Sequence, residues 1–222
     1  CTKHESNHSP LIITESLFSM EGTSPNLKKV VEISKKYSAK LLVDEAHAIG
    51  ILGPRGKGLA YKNSKKISIT TGTFGKAFGS GGAFLACNNE LSDQLLQNSG
   101  AFRYTTALAP SLAAASLAAL ELIKKNPEWG EELQQTAREW REKLKKNGWV
   151  IPGNDGPILS LIMGSDLQAL EMEKHLESAG IASIAIRPPT VPEGSARLRI
   201  VLRRNLPEGT LDQLINSLNE KK

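Results

Sequence analysis

A chain of 222 residues and 24.0 kDa, with 40% hydrophobic and 23% charged residues, is long enough to bury a substantial core, which argues against disorder, a collagen-like repeat or a coiled-coil rod. Its 28 Lys and Arg against 23 Asp and Glu leave a net charge of +5, but the cations are scattered among the acids and aromatic residues make up only 5%, so no nucleic-acid partner is expected. The two cysteines, Cys1 and Cys87, form no metal-type cluster and suit a reducing cytoplasm, and no apolar stretch is long and uninterrupted enough to suggest a membrane span.

The start of the chain, residues 1–9, is polar, lacks the apolar middle of a signal peptide and opens without Met, so an upstream portion is expected to be missing. Residues 11–15 form a β-branched apolar run of buried-strand type. Leu27, Val30, Val31 and Ile33 follow at helical spacing within residues 26–37, and residues 40–43 return to strand. Strand, helix, strand in that order predicts a mainly parallel sheet covered by helices, with its chemistry at strand ends. Residues 67–71 and 82–86 read as two more strands around a Gly-rich turn, and residues 91–97 and 112–124 as helices, the second opened by Pro110 and Ser111.

Leu133, Ala137, Trp140 and Leu144 line one face of a helix over residues 131–146. Beyond Gly148 the pattern becomes strand 158–163, helix 167–179 ended by Gly180, strand 184–186, a half-exposed strand 197–202 and a closing helix 211–218. These elements predict an α/β large domain over residues 1–124 and a small α+β domain over residues 125–222.

The chemistry-bearing residues fall in the first of these domains. An apolar strand ends in Asp44, followed by Glu45, Ala46 and His47. Those four letters resemble the Mg-binding box of DEAH helicases, but the companion phosphate loop is not found: Gly72-Thr73-Phe74-Gly75-Lys76-Ala77 has the wrong glycine spacing, no metal-binding hydroxyl at Ala77 and a position downstream of the acid. Asp44, Glu45 and His47 are also too close in sequence to surround a metal without further ligands, so no metal site is expected. Lys76 offers a second chemistry. A lysine can form a Schiff base with an aldehyde cofactor such as pyridoxal phosphate (PLP), whose phosphate needs hydroxyl and backbone N–H donors and whose ring nitrogen needs a carboxylate. Thr73, the glycines around it and Asp44 supply those groups in that order. Taken singly, each residue reads more readily as a turn, a cap or a solvated side chain; their order favours the cofactor site.

Together with Thr14-Glu15-Ser16-Leu17-Phe18-Ser19-Met20-Glu21-Gly22, Tyr104-Thr105-Thr106 and Ala196-Arg197-Leu198-Arg199, these motifs resemble the α-oxoamine synthases over nearly the whole chain. That family consists of fold-type I PLP-dependent transferases that join an amino acid to an acyl-CoA with loss of carbon dioxide. Ile186-Arg187-Pro188-Pro189-Thr190-Val191-Pro192 is most similar to the branch that joins L-alanine to a pimeloyl thioester in biotin synthesis, with the glycine acetyltransferases and 5-aminolevulinate synthases next. The resemblance implies Lys76 as the Schiff-base lysine and proton carrier, Asp44 at the pyridinium nitrogen, His47 and Ser19 at the cofactor's phenolic edge, and Thr73 on the phosphate. It further implies Thr106 on the phosphate of a neighbouring subunit, hence a homodimer with shared sites, and Arg199 on the amino-acid carboxylate. Arg197 is expected to face solvent. The family's N-terminal arm, phosphate loop and ring-stacking histidine have no counterpart in these 222 residues, so the natural gene is expected to be longer and this piece alone inactive. A non-catalytic fragment kept for dimerisation is the reading of a different class.

Overall fold

The computed structural model describes residues 9–153 and 156–221; the polar start, including Cys1, lies outside them. In chain order the elements are β1 (Leu11–Glu15), α1 (Leu27–Lys36), β2 (Lys40–Asp44), β3 (Ile69–Thr73), β4 (Ala83–Cys87), α2 (Asn89–Asn98), α3 (Gly100–Arg103), α4 (Pro110–Lys125), α5 (Trp129–Lys146), β5 (Ile158–Gly164), α6 (Asp166–Ser178), β6 (Ile184–Ile186), β7 (Ala196–Val201) and α7 (Thr210–Asn219). The chain packs as two compact units, one running to Leu17 and from Ser24 to Pro127, the other combining Phe18–Thr23 with everything from Glu128 onward.

The first unit is built on a four-stranded sheet in the order β1-β2-β3-β4, parallel except for the antiparallel β3–β4 pair. Its mainly parallel core follows from the β1-α1-β2 crossover, because a helix between two strands returns the chain to the same edge of the sheet. Asn26 starts α1 by accepting a hydrogen bond from the Lys29 N–H at 3.1 Å. The apolar face of α1, with Leu27 and Val31, then buries against Leu41 and Val43 of β2 and against Ala60. Each such fully buried aliphatic side chain contributes about 1.5–3 kcal/mol relative to exposure. Replacing Asn26 with alanine removes only the cap and is expected to cost about 1 kcal/mol, read as a lower denaturation midpoint with an unchanged slope.

β3 runs two residues further along the chain than the sequence pattern places it. Residues 61–66 form a 3-10 turn that holds Ile67 outside the strand, while Thr71, Gly72 and Thr73 stay in register with Leu85, Phe84 and Ala83 of β4. The Gly-rich turn therefore starts after Thr73, which brings that threonine onto the sheet.

The second unit is a three-stranded antiparallel sheet in the order β5-β7-β6. Cross-strand pairing puts Leu159 opposite Ile200 and Leu161 opposite Leu198 on one face, all four buried, and α6 packs against both strands. Ser160 opposite Arg199 and Ile162 opposite Arg197 form the other face. The expected half-exposed strand at residues 197–202 is therefore buried over most of its length: both of its faces are covered. Among the described residues no helix is long and apolar enough to cross a membrane.

Candidate active site

Leu41, Leu42 and Val43 carry β2 through the sheet, and the first acidic side chain, Asp44, emerges where the strand ends. In parallel sheets that carboxyl edge is where ligands bind, since loops diverge there and leave a crevice. Parallel register sets Asp44 beside Thr71, and antiparallel register sets Thr71 beside Leu85 and Thr73 beside Ala83. Side chains two apart on a strand share a face, so Asp44, Thr71 and Thr73 look out on the same side. They line one open cavity of about 310 Å³, together with Ala46, Phe84 and Phe102. That volume is at the lower end of the small-molecule range. Gly72 lies in the floor with the Phe84 ring over it: a Cβ there would stand 2.5 Å from a ring carbon.

Asp44 keeps one oxygen for its own turn, with Oδ1 accepting from the Ala46 N–H at 2.7 Å, while Oδ2 accepts no hydrogen bond from the described residues. The Thr73 hydroxyl donates to the Gly82 carbonyl at 3.0 Å and accepts from the Gly75 N–H at 3.1 Å, which pins both ends of the turn that carries Lys76. α4 and the stretch just before it hold the same turn from outside: Ser80 donates to the Leu112 carbonyl at 2.8 Å, and at Gly82, with φ of +95°, a Cβ would strike Leu108 at 2.4 Å. Lys76 is exposed at the tip, and its ammonium has no partner among the described residues. Because the turn leads into the antiparallel strand β4 and not into a helix, residues 72–77 are not a nucleotide phosphate loop.

Of the expected site residues, the structure gathers Asp44 and Thr73 around the cavity. Lys76 and His47 sit in the turns on either side without lining it, and Thr106 is exposed in the extended stretch between α3 and α4. Ser19 and Arg199 meet in the second unit, where Arg199 Nε donates to the Ser19 carbonyl at 2.7 Å. Burial of the Arg199 guanidinium lowers its pKa from the usual arginine range. Arg197 corrects the expectation that it faces solvent. Its side chain is 7% exposed and pairs with Glu21 at 3.2 Å, because the Phe18–Thr23 segment lies across that face of the sheet.

A sequence profile of the aminotransferase class I and II family matches residues 2–218. The chain belongs to that family. Within it, the chain is 39% identical over 210 residues to a protein named putative 8-amino-7-oxononanoate synthase from Geobacillus kaustophilus, covering 93% of this chain and 54% of that one. It is 37% identical over 211 residues to the 8-amino-7-oxononanoate synthase of Lysinibacillus sphaericus, again covering 94% and 54%. Among solved structures, the 8-amino-7-oxononanoate synthase of Francisella tularensis superposes with a TM-score of 0.81 at 28% identity, over 97% of this chain and 62% of that one. A high-resolution structure of SPT with PLP gives a TM-score of 0.90 at 26% identity, over 99% and 56%. These matches bear out the α-oxoamine synthase resemblance and the fold-type I architecture. The chain spans about half the length of the curated relatives it matches.

Two further residues at this strand edge carry weaker sequence signals. Thr71 is one strand period before Thr73 and opposite Asp44, so the alternation alone would point to it once Thr73 is on the strand. Glu45, read only as part of a doubtful metal box, is 2% exposed and buried among hydrogen-bond donors.

Proposed function

We propose that this chain carries half of the active site of a PLP-dependent α-oxoamine synthase that condenses L-alanine with a pimeloyl thioester, giving 8-amino-7-oxononanoate, carbon dioxide and free thiol. The observation that carries the reading is the pairing of an Asp44 carboxylate oxygen that accepts no hydrogen bond from the described residues with Thr71 and Thr73 in one cavity, one turn from Lys76, whose amine has no partner among them. Those residues fit the cofactor: an acid for the ring nitrogen, hydroxyls and a glycine floor for close approach, and an amine for the aldehyde. The SPT structure with PLP and the relatives' names support the same assignment.

Bound there, PLP supplies an electron sink for the pair left on Cα when a proton departs. The chain's own residues do the rest. Lys76 would hold the cofactor through its amine, and that same amine would then be the base for the Cα proton. Asp44 would keep a proton on the ring nitrogen, His47 and Ser19 would hydrogen-bond the phenolic edge, and Thr73 would help hold the phosphate. Arg199 holds the amino-acid carboxylate so that the Cα–H bond stands ready for cleavage. Thr106 would hold the phosphate of a second copy, and the exposed Phe102, Tyr104, Leu108 and Leu117 in the same stretch of chain support a homodimer. The cytoplasm is the compartment this reading implies.

Assay of the complete gene product with alanine, glycine and serine against a series of acyl thioesters tests the substrate assignment. Highest kcat/KM for alanine with the pimeloyl thioester is expected, and a preference for glycine with a short acyl chain would replace it with a glycine acetyltransferase. Replacing Arg199 with lysine removes a two-pronged contact that a single ammonium does not reproduce. KM for the amino acid is expected to rise about 10- to 100-fold, with KM for the thioester unchanged, in steady-state kinetics.

A further inference from the structure

We propose that Glu45 is a positioning residue of the cofactor site, whose buried carboxylate ties the end of β1 and the 57–60 loop to the strand end that carries Asp44. This inference rests on the reading of Asp44 as the acid at the cofactor's ring nitrogen.

The clamp consists entirely of donors aimed at one side chain. Glu45 Oε2 accepts from the Ser16 hydroxyl at 3.0 Å and from the Leu59 N–H at 3.1 Å, while Oε1 accepts from the Ala60 N–H. A buried carboxylate ringed by donors stays in place because each donor left unpaired would cost a desolvation penalty. Burial nonetheless pushes its pKa up, and the hydrogen bonds from Ala60, Ser16 and Leu59 oppose that shift. The loop wraps tightly around the carboxylate: at Gly58, with φ of +88°, a Cβ would stand 2.5 Å from Oε2.

The backbone of Glu45 extends the clamp to the site. Its N–H donates to the Thr71 carbonyl at 2.8 Å, and its carbonyl accepts from Ala48 and Ile49, both at 2.9 Å, closing the turn that bears His47. Ser16 N–H donates to the Asp44 carbonyl at 2.8 Å, so the residue bonded to the Glu45 carboxylate also holds the Asp44 backbone. Side chain and main chain thus form one closed circuit through Ser16, Asp44 and Glu45, with Thr71 tied to it by the Glu45 N–H. Asp44 and Thr71 line the cavity; Ser16 and Glu45 do not. Loosening the circuit moves the Asp44 carboxylate off the ring nitrogen, that nitrogen loses charge, and the covalent link to Lys76 then holds its own proton more tightly.

The test uses the complete gene product as wild type, Glu45→Gln, Ser16→Ala and, as a control for lost stability, Leu41→Ala, which thins the core beneath α1 and removes no hydrogen bond of the circuit. Glutamine keeps size and one acceptor oxygen but turns an N–H toward the Ala60 N–H. Three quantities are read: borohydride trapping of PLP at Lys76 by peptide mass, the PLP Kd, and the pH midpoint of the bound cofactor's visible absorbance. Trapping at Lys76 in the wild type is the check on the cofactor reading itself, and its failure there sinks that reading and this inference together. With trapping present, Glu45→Gln is expected to raise Kd about tenfold and the midpoint by about one pH unit, with Ser16→Ala shifting both in the same direction by less. Wild-type Kd and midpoint in Glu45→Gln, or an equal midpoint shift in Leu41→Ala, overturns the inference while leaving the cofactor reading intact. Should Glu45→Gln fail to fold, Ser16→Ala against Leu41→Ala decides by the same comparison.

Discussion

Replacing Lys76 with alanine in the complete gene product is expected to abolish the borohydride-trapped PLP peptide and to lower kcat by about a thousandfold or more, while the melting temperature moves by no more than about 2 °C. The asymmetry comes from where the residue sits. Lys76 is exposed, makes no hydrogen bond or ion pair through its side chain among the described residues, and follows a turn whose shape is set by Thr73, Gly82 and Ser80. Deleting its amine leaves those bonds in place, so folding loses little. Chemistry loses both the group that anchors the cofactor and the base that removes the Cα proton, and acid–base catalysis alone is worth about two to four orders of magnitude. Partial recovery of turnover on adding small primary amines would separate the loss of a base from the loss of a positioned cofactor. A variant that keeps wild-type turnover would mean that Lys76 is only a solvated loop residue and that the PLP assignment is wrong.

How far the sequence carries this site depends on the kind of information each residue holds. The β1-α1-β2 crossover is legible because a period of two and a period near 3.6 alternate within residues 11–43, and that alternation alone dictates parallel pairing. Asp44 is legible as the first acid after an apolar run. Thr73 is legible as a candidate, but its place on β3 is not: the strand's register is set by pairing with β4, and propensity does not report pairing. Thr71 is hidden for the same reason.

Glu45 and Arg197 fail differently. A charged residue is read from sequence as solvent-facing because few charges are buried without partners, and both partners here are remote. Glu45 finds Ser16 29 residues earlier, and Arg197 finds Glu21 176 residues earlier. Such pairings exist only once the fold has closed. The Phe18–Thr23 segment makes the point again: it lies between two elements of the first unit in sequence, yet it packs with the second, carrying Ser19 to Arg199. Only the family motifs linked those two residues in advance, and they did so through function and not through contact.

Substituting Asp44 with asparagine isolates charge from shape. The side chain's established structural duty is to accept the Ala46 N–H at Oδ1, and an amide oxygen performs that duty equally well. Asparagine is therefore expected to fold with an unfolding midpoint close to wild type. What it lacks is the negative charge that keeps a proton on the cofactor's ring nitrogen, because a neutral amide stabilises that positive charge far less than a carboxylate within hydrogen-bond distance. Without the ring charge, electrons left on Cα are poorly accepted, and kcat/KM is expected to fall by about two to four orders of magnitude, with trapping at Lys76 retained. The expected order of effects in steady-state kinetics is then Asp44→Asn and Lys76→Ala well below Arg199→Lys, with the last confined to the amino-acid KM. If Asp44→Asn instead keeps kcat/KM within about twofold of wild type, the carboxylate is a turn residue, and the ring nitrogen has to find its partner elsewhere.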